Sequence, residues 1–171
     1  DLSIRIPGWL SQPVPGDLYR YKEQQAQKPD IKVNGKAGAY TEKDGYAVIS
    51  RTWRKGDKVT IDFPMEVRTV VSRPEVAQNR DRVALQYGPL VYCVEGPDNG
   101  GQAWNLVVPE RPEFKTDYRP DLLGGVTTIS FKANVTEPAA DGRSVTTVQK
   151  EVTAIPYHAW NNRGAAPMQV W

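Results

Sequence analysis

The sequence holds one histidine, His158, and one cysteine, Cys93, in 171 residues. A lone cysteine excludes an internal disulfide and a zinc site built from several thiolates. A lone histidine leaves little for a catalytic triad, which needs a base beside a nucleophile and a third group to orient it. Charge of one sign is also lacking: 22 basic side chains face 20 acidic ones, for a net charge of +2. Nucleic-acid binders cluster basic residues on one face, so this balance argues against that class. No apolar run approaches the ~18 residues that a membrane-crossing helix needs. Neither a Gly-rich phosphate loop nor a metal-ligand spacing is present. The chain opens on Asp1-Leu2-Ser3, which is neither a start methionine nor a signal peptide. The expectation is a processed fragment of a longer chain.

What is present is period-two alternation, the mark of strands with one buried face. Leu2, Ile4 and Ile6 alternate with Ser3 and Arg5. Asn34-Gly35 and Asp44-Gly45 are hairpin turns, because these residues tolerate positive φ. Lys55-Gly56-Asp57 makes a third turn before Val59, Ile61 and Phe63, and Pro64 ends that strand. A polar stretch, Ser72 to Asp81, reads as a linker or surface loop. Val83, Leu85 and Tyr87 then alternate up to Gly88-Pro89. Leu90 to Glu95 is nearly all apolar, as in a strand buried on both faces. Trp104 to Val108 is short and strand-like, and Glu110 to Gly125 reads as mostly irregular. Val126 to Val135 and Val145 to Ile155 read as long strands, and Gln169 to Trp171 as a last one. Only Asp17 to Gln27 looks helical, an exposed insertion. Fourteen prolines, fourteen glycines and closely spaced strands predict an all-β fold of antiparallel sandwiches. The two strand series predict two small sandwiches, or two halves of one, divided as residues 1–76 and 77–171.

Few residues offer chemistry. His158 lies among aromatic neighbours with no nucleophile nearby in sequence, so a packed or surface role is favoured. Carboxylates fall at outward strand positions such as Asp62, or in turns such as Asp44 and Asp57, which favours solvated acids over a glycosidase pair. Cys93 sits in Leu90-Val91-Tyr92-Cys93-Val94, where apolar surroundings raise a thiol's pKa and make it inert. Five tryptophans could stack on sugar rings: Trp9, Trp53, Trp104, Trp160 and Trp171. Trp53 shares parity with Ile49 and reads as core. Trp160 differs, because it precedes the polar turn Asn161-Asn162-Arg163-Gly164. Large aromatics beside Asn and Arg suit ligand or protein contact, though such residues also shape loops. The sequon Asn134-Val135-Thr136 is too short a match to carry weight.

Several segments in order resemble one family. They are Ile4-Arg5-Ile6-Pro7-Gly8-Trp9; Gly45-Tyr46-Ala47-Val48-Ile49 with Arg51-Thr52-Trp53 and Lys55-Gly56-Asp57; and Pro64-Met65-Glu66-Val67-Arg68. Next come Arg82-Val83-Ala84-Leu85 with Gly88-Pro89-Leu90-Val91-Tyr92-Cys93. The last runs from Ala154-Ile155-Pro156-Tyr157 through Trp160 and Asn162-Arg163-Gly164 to Met168. Together they are similar to the C-terminal region of bacterial β-L-arabinofuranosidases, glycoside hydrolase family 127 and relatives.

The resemblance implies an N-terminal (α/α)6 barrel in the parent chain. That barrel would carry the chemistry on a zinc ion held by three cysteines and a glutamate, one cysteine acting as nucleophile. Two β-sandwiches would follow it. Only the sandwich part is matched here, and Cys93 matches a strand, not a zinc ligand, so no catalytic residue and no cofactor carries over. The chain starts almost at the Ile4–Trp9 motif, so the first sandwich is expected to show an open edge that invites another chain. The expected role is an accessory region of a glycoside hydrolase, supporting the barrel or mediating dimerisation. The alternative is a carbohydrate-binding module for arabinose-containing plant glycans. Its contact candidates are Tyr157, His158, Trp160, Asn162 and Arg163. Expected partners are the chain's own barrel, a second copy, or a plant glycan, with no nucleic acid and no membrane. The sequence leaves a periplasmic or cytoplasmic location in a bacterium open.

Overall fold

The computed structural model describes residues 1–11, 13–23 and 26–171. In its N-terminal part, β1 (Leu2–Arg5), β5 (Thr41–Lys43) and β6 (Tyr46–Ile49) form a sheet ordered β1-β6-β5. A second sheet, ordered β4-β3-β7, joins β3 (Asp30–Val33), β4 (Lys36–Ala37) and β7 (Val59–Asp62). Both tight turns adopt the backbone their sequences predict. Asn34 and Gly35 have φ of 53° and 76°, and Asp44 and Gly45 have 53° and 78°. Paired positive φ values match the right-handed twist of the strands they join. Ile6, Leu10, Ile31, Val33, Ala47 and Ile49 are buried together, with Trp9, Trp53 and Phe63 packed against them. Among the described residues strand β1 pairs with β6 alone, so it forms an edge of its sheet.

The rest is one nine-stranded antiparallel sheet. Its strands are β2 (Tyr19–Tyr21), β8 (Val67–Ser72), β9 (Ala84–Tyr87), β10 (Leu90–Glu95), β11 (Leu106–Val107), β12 (Lys115–Arg119), β13 (Val126–Pro138), β14 (Val145–Pro156) and β15 (Met168–Gln169). The order is β11-β13-β14-β10-β9-β8-β2, with β12 also on β13 and β15 also on β10. The β13–β14 hairpin is its spine. Ile129, Phe131, Ala133 and Val135 alternate inward and meet Leu85, Tyr92, Val94, Val152 and Ala154 in a second core. Tyr92 is fully buried, and its hydroxyl donates to the Thr127 carbonyl at 2.8 Å.

Two sequence expectations of secondary structure differ from the structure. Asp17 to Gln27 is not helical where it is described: Tyr19–Tyr21 is a strand that pairs with β8, while Gln24 and Gln25 lie outside the described residues. The tyrosines flank Arg20 at strand spacing, and Tyr21 is buried beneath the Arg68 guanidinium, 4.7 Å from its ring centre. Glu110 to Gly125 contains β12, whose five residues are all exposed. With no apolar alternation it leaves no periodic trace, and its order comes from pairing with Val126–Ser130 of β13. Sheet membership changes between Asp62 and Val67, because β8 pairs with β9. Strand β2 also reaches the large sheet, so residues from the N-terminal half are woven into the second unit.

The linking segment lays the exposed Met65 over a turn of the large sheet. The β9–β10 turn places Gly88 at φ 55°. Met65 covers that glycine so closely that a Cβ there would lie 2.5 Å from Met65 Cε.

Candidate functional site

Strand β14 ends at Pro156 and turns through a single 3-10 turn, Tyr157–Ala159. This turn carries the aromatic and polar residues singled out from sequence. Ala159 is buried and anchors it, while Tyr157 is 43% exposed. The Tyr157 and Trp160 rings stack at 6.2 Å with an interplanar angle of 26°. His158 is exposed beside them. Asn162 turns back on its own loop, its amide donating to the carbonyls of Ala159 at 3.1 Å and Trp160 at 3.4 Å.

Arg163 does not join the outward group. Its guanidinium points inward and donates twice to Asp98, at 2.7 and 2.5 Å, and once to Glu95 at 2.5 Å. Glu95 is only 1% exposed. Its other oxygen accepts the Asn161 backbone N–H at 2.9 Å. A buried carboxylate is costly unless charge and hydrogen bonds compensate it, and here both do. Asn161 reaches it by adopting φ 62°. The Arg163 guanidinium is held even further above its usual value, first by its hydrogen bond to Asp98. Around this triad, Gly96 N–H donates to the Pro167 carbonyl at 2.8 Å. The Asn99 amide donates to the Glu95 and Thr153 carbonyls at 2.8 and 2.9 Å. The loop after β14 is thus tied to the end of β10.

Sequence reasoning missed Glu95 and Asp98. The available signal was parity. Strand β10 begins exposed at Leu90 and Val91, not buried on both faces as expected, but its last four residues are buried. Glu95, two residues after Cys93, shares the face of the buried thiol. A carboxylate there requires a partner, and Arg163 was the unpaired arginine of the closing motif. Cys93 itself is 2% exposed. Burial first, then the Glu95 and Asp98 charges, pushes its thiol up to about 12.

A second arginine makes a comparable clamp. Arg68 on β8 donates to the carbonyls of Trp9 and Leu10, both at 2.9 Å. It also lies over the Tyr21 ring. The Pro64–Arg68 motif therefore grips the Ile4–Trp9 motif directly, across the join between the two cores.

The carboxylates named from sequence do not converge. Asp44 and Asp62 are exposed. Asp57 closes its own turn, accepting from Asn34 at 2.8 Å and from the Arg54 N–H at 2.9 Å. Among the described residues no group of three His, Cys, Asp or Glu side chains could hold a metal ion. Of the tryptophans, Trp9 and Trp53 pack on the first core, Trp171 packs on Tyr19 at 5.1 Å, and Trp104 is 69% exposed.

Residues 67–171 match the glycoside hydrolase family 127 C-terminal domain. Residues 1–65 match the β-L-arabinofuranosidase GH127 middle domain. The chain belongs to glycoside hydrolase family 127. The change from one family domain to the next falls where sheet membership changes.

Family 127 relatives agree along nearly the whole chain. A non-reducing end β-L-arabinofuranosidase of Bifidobacterium longum subsp. longum is 27% identical over 180 aligned positions, covering 98% of this chain and 25% of that protein. A solved GH127 β-arabinofuranosidase superposes with a TM-score of 0.88 at 39% identity, over 99% of this chain and 27% of the other. A GH127 β-L-arabinofuranosidase from Geobacillus stearothermophilus T6 gives a TM-score of 0.80 at 35% identity, over 99% and 26%. The chain thus spans about a quarter of the length of these relatives.

Proposed function

We propose that this family 127 region is a non-catalytic support for the catalytic part of a β-L-arabinofuranosidase-type glycoside hydrolase. The observation that carries the reading is how the signature residues are used. Arg68 and Arg163, the arginines of two family motifs, are engaged with carbonyls and carboxylates inside the chain. Groups held this way join β-strands and loops to one another. They are poorly placed to attack a glycosidic bond, which needs two carboxyl groups flanking an open site. The lone thiol is buried and kept protonated at neutral pH, so it is a poor nucleophile. On this reading the partner is the (α/α)6 barrel of the parent chain, and zinc chemistry belongs to that barrel.

Removal tests the supporting role. The Geobacillus β-L-arabinofuranosidase is truncated before the segment that matches this chain, and its thermal stability is measured. The expected result is a fall in melting temperature or failure to fold. A truncated enzyme as stable and active as the whole would overturn the reading.

A second reading, carbohydrate binding, is favoured by one observation: the stacked Tyr157–Trp160 pair stands partly in solvent beside His158. Aromatic faces of this kind complement apolar sugar faces. The loop's Asn162 and Arg163 already have internal partners, which leaves the aromatics and His158 as its outward groups. Titration with arabinan oligosaccharides, followed by tryptophan fluorescence in the parent and in Trp160→Ala, tests it.

A further inference from the structure

A concave surface of the second unit lies elsewhere, where the sheet's core meets the segment after β10. A cleft of about 610 Å³ opens there. That lies within the roughly 300–1,000 Å³ usual for small-molecule sites. Its buried lining includes Leu85, Tyr92 and Phe131, all from the second core. Its exposed lining is Asp81, Arg82, Trp104 and Val107. Trp104 is 69% exposed, yet it is not loose: its indole N–H donates to the Met168 carbonyl at 3.1 Å. A fixed aromatic at the mouth of a cleft loses little freedom when a ligand settles on it.

We propose that this cleft binds one residue of a neutral sugar, a furanose or pyranose ring, with an apolar face on Trp104 and hydroxyls on Asp81 and Arg82. Three features select that class. A wholly apolar ligand would strip water from Asp81 and Arg82 and give their charges nothing in return. An anionic ligand would meet the Asp81 carboxylate, which has no ion-pair or hydrogen-bond partner among the described residues. A polyol matches both heads, because its hydroxyls donate to a carboxylate and accept from a guanidinium. Arg82 gives one N–H to the Trp171 carbonyl at 3.3 Å and keeps further donors for a ligand. Binding here is separate from the supporting role: its failure would leave the truncation test untouched.

The experiment titrates the 171-residue chain with methyl β-L-arabinofuranoside, a linear L-arabinotriose, xylotriose and trigalacturonate. Tryptophan fluorescence and calorimetry follow binding. At least one neutral probe is expected to saturate, and trigalacturonate is expected not to. Trp104→Ala and Asp81→Asn should each weaken the neutral probe by about tenfold, the loss of one aromatic or charged contact. Both side chains are exposed, so circular dichroism should show the parent fold. Val145→Ala, on the exposed far end of the β13–β14 hairpin, should bind as the parent does. The proposal is overturned if no neutral probe saturates. It is equally overturned if Trp104→Ala and Asp81→Asn bind undiminished, or if Trp160→Ala alone abolishes binding.

Discussion

Replacing Arg163 by methionine removes the cation from a carboxylate that has almost no access to water. Glu95 is 1% exposed, and in Arg163→Met it would retain only the Asn161 N–H. Breaking a buried pair by deleting one partner typically costs 3–5 kcal/mol, because the remaining charge is uncompensated. The Arg163 side chain is 24% exposed, so water can reach part of the space it leaves. The lower end of the range therefore applies, about 3 kcal/mol. For a chain of this size each kcal/mol shifts the melting temperature by roughly 2–4 °C, so a fall of about 6–12 °C is expected. Urea unfolding followed by tryptophan fluorescence would measure it. The decisive control is the double variant Arg163→Met with Glu95→Gln. Removing the stranded charge should restore at least about half of the lost stability, since neutral replacements of buried pairs are often tolerated. A cost under about 1 kcal/mol, or a double variant no better than the single, would refute the clamp.

Three further outcomes follow from the same geometry. Arg68→Met loses two charge-assisted hydrogen bonds to Trp9 and Leu10, and should cost about 2 kcal/mol in urea unfolding; it should also separate the unfolding of the two cores, seen as a broader or two-step transition. Gly88→Ala forces a Cβ against Met65 at φ 55° and should lower stability by about 1–3 kcal/mol. Adding Met65→Ala should relieve the clash but not the backbone strain. Asp57 is held below its ordinary value of 3.8, first by the Asn34 hydrogen bond. Its contribution is therefore present above that value and is lost as pH falls through the lower folded one. Thermal melts from pH 6 to 2 should show a shallower acid decline in Asp57→Asn, and an unchanged slope would contradict this.

Much of the strand layout was legible because it rests on short-range chemistry. Asn34-Gly35 and Asp44-Gly45 set turns through backbone freedom alone, and the β13–β14 alternation is long enough to read. Strand β12 was not legible, since Lys115–Arg119 buries nothing and is ordered only by its neighbour. Strand β2 was obscured because Tyr-Arg-Tyr sits among polar residues, and its burial depends on Arg68, some fifty residues away in sequence. At the candidate site, the exposure of Tyr157 and the inward turn of Arg163 could not be separated from sequence. The inward turn follows from Glu95 and Asp98, whose approach to Arg163 is a property of the fold. Trp104 carried no local signal either, because the cleft beside it is assembled from β9, β10 and β13.

The supporting role is tested most directly by sugar release. The purified 171-residue chain is incubated with an aryl β-L-arabinofuranoside, and the freed aryl group is followed by absorbance. The expected result is release no faster than in buffer. Steady turnover that survives a chelator and repeated purification would contradict the account.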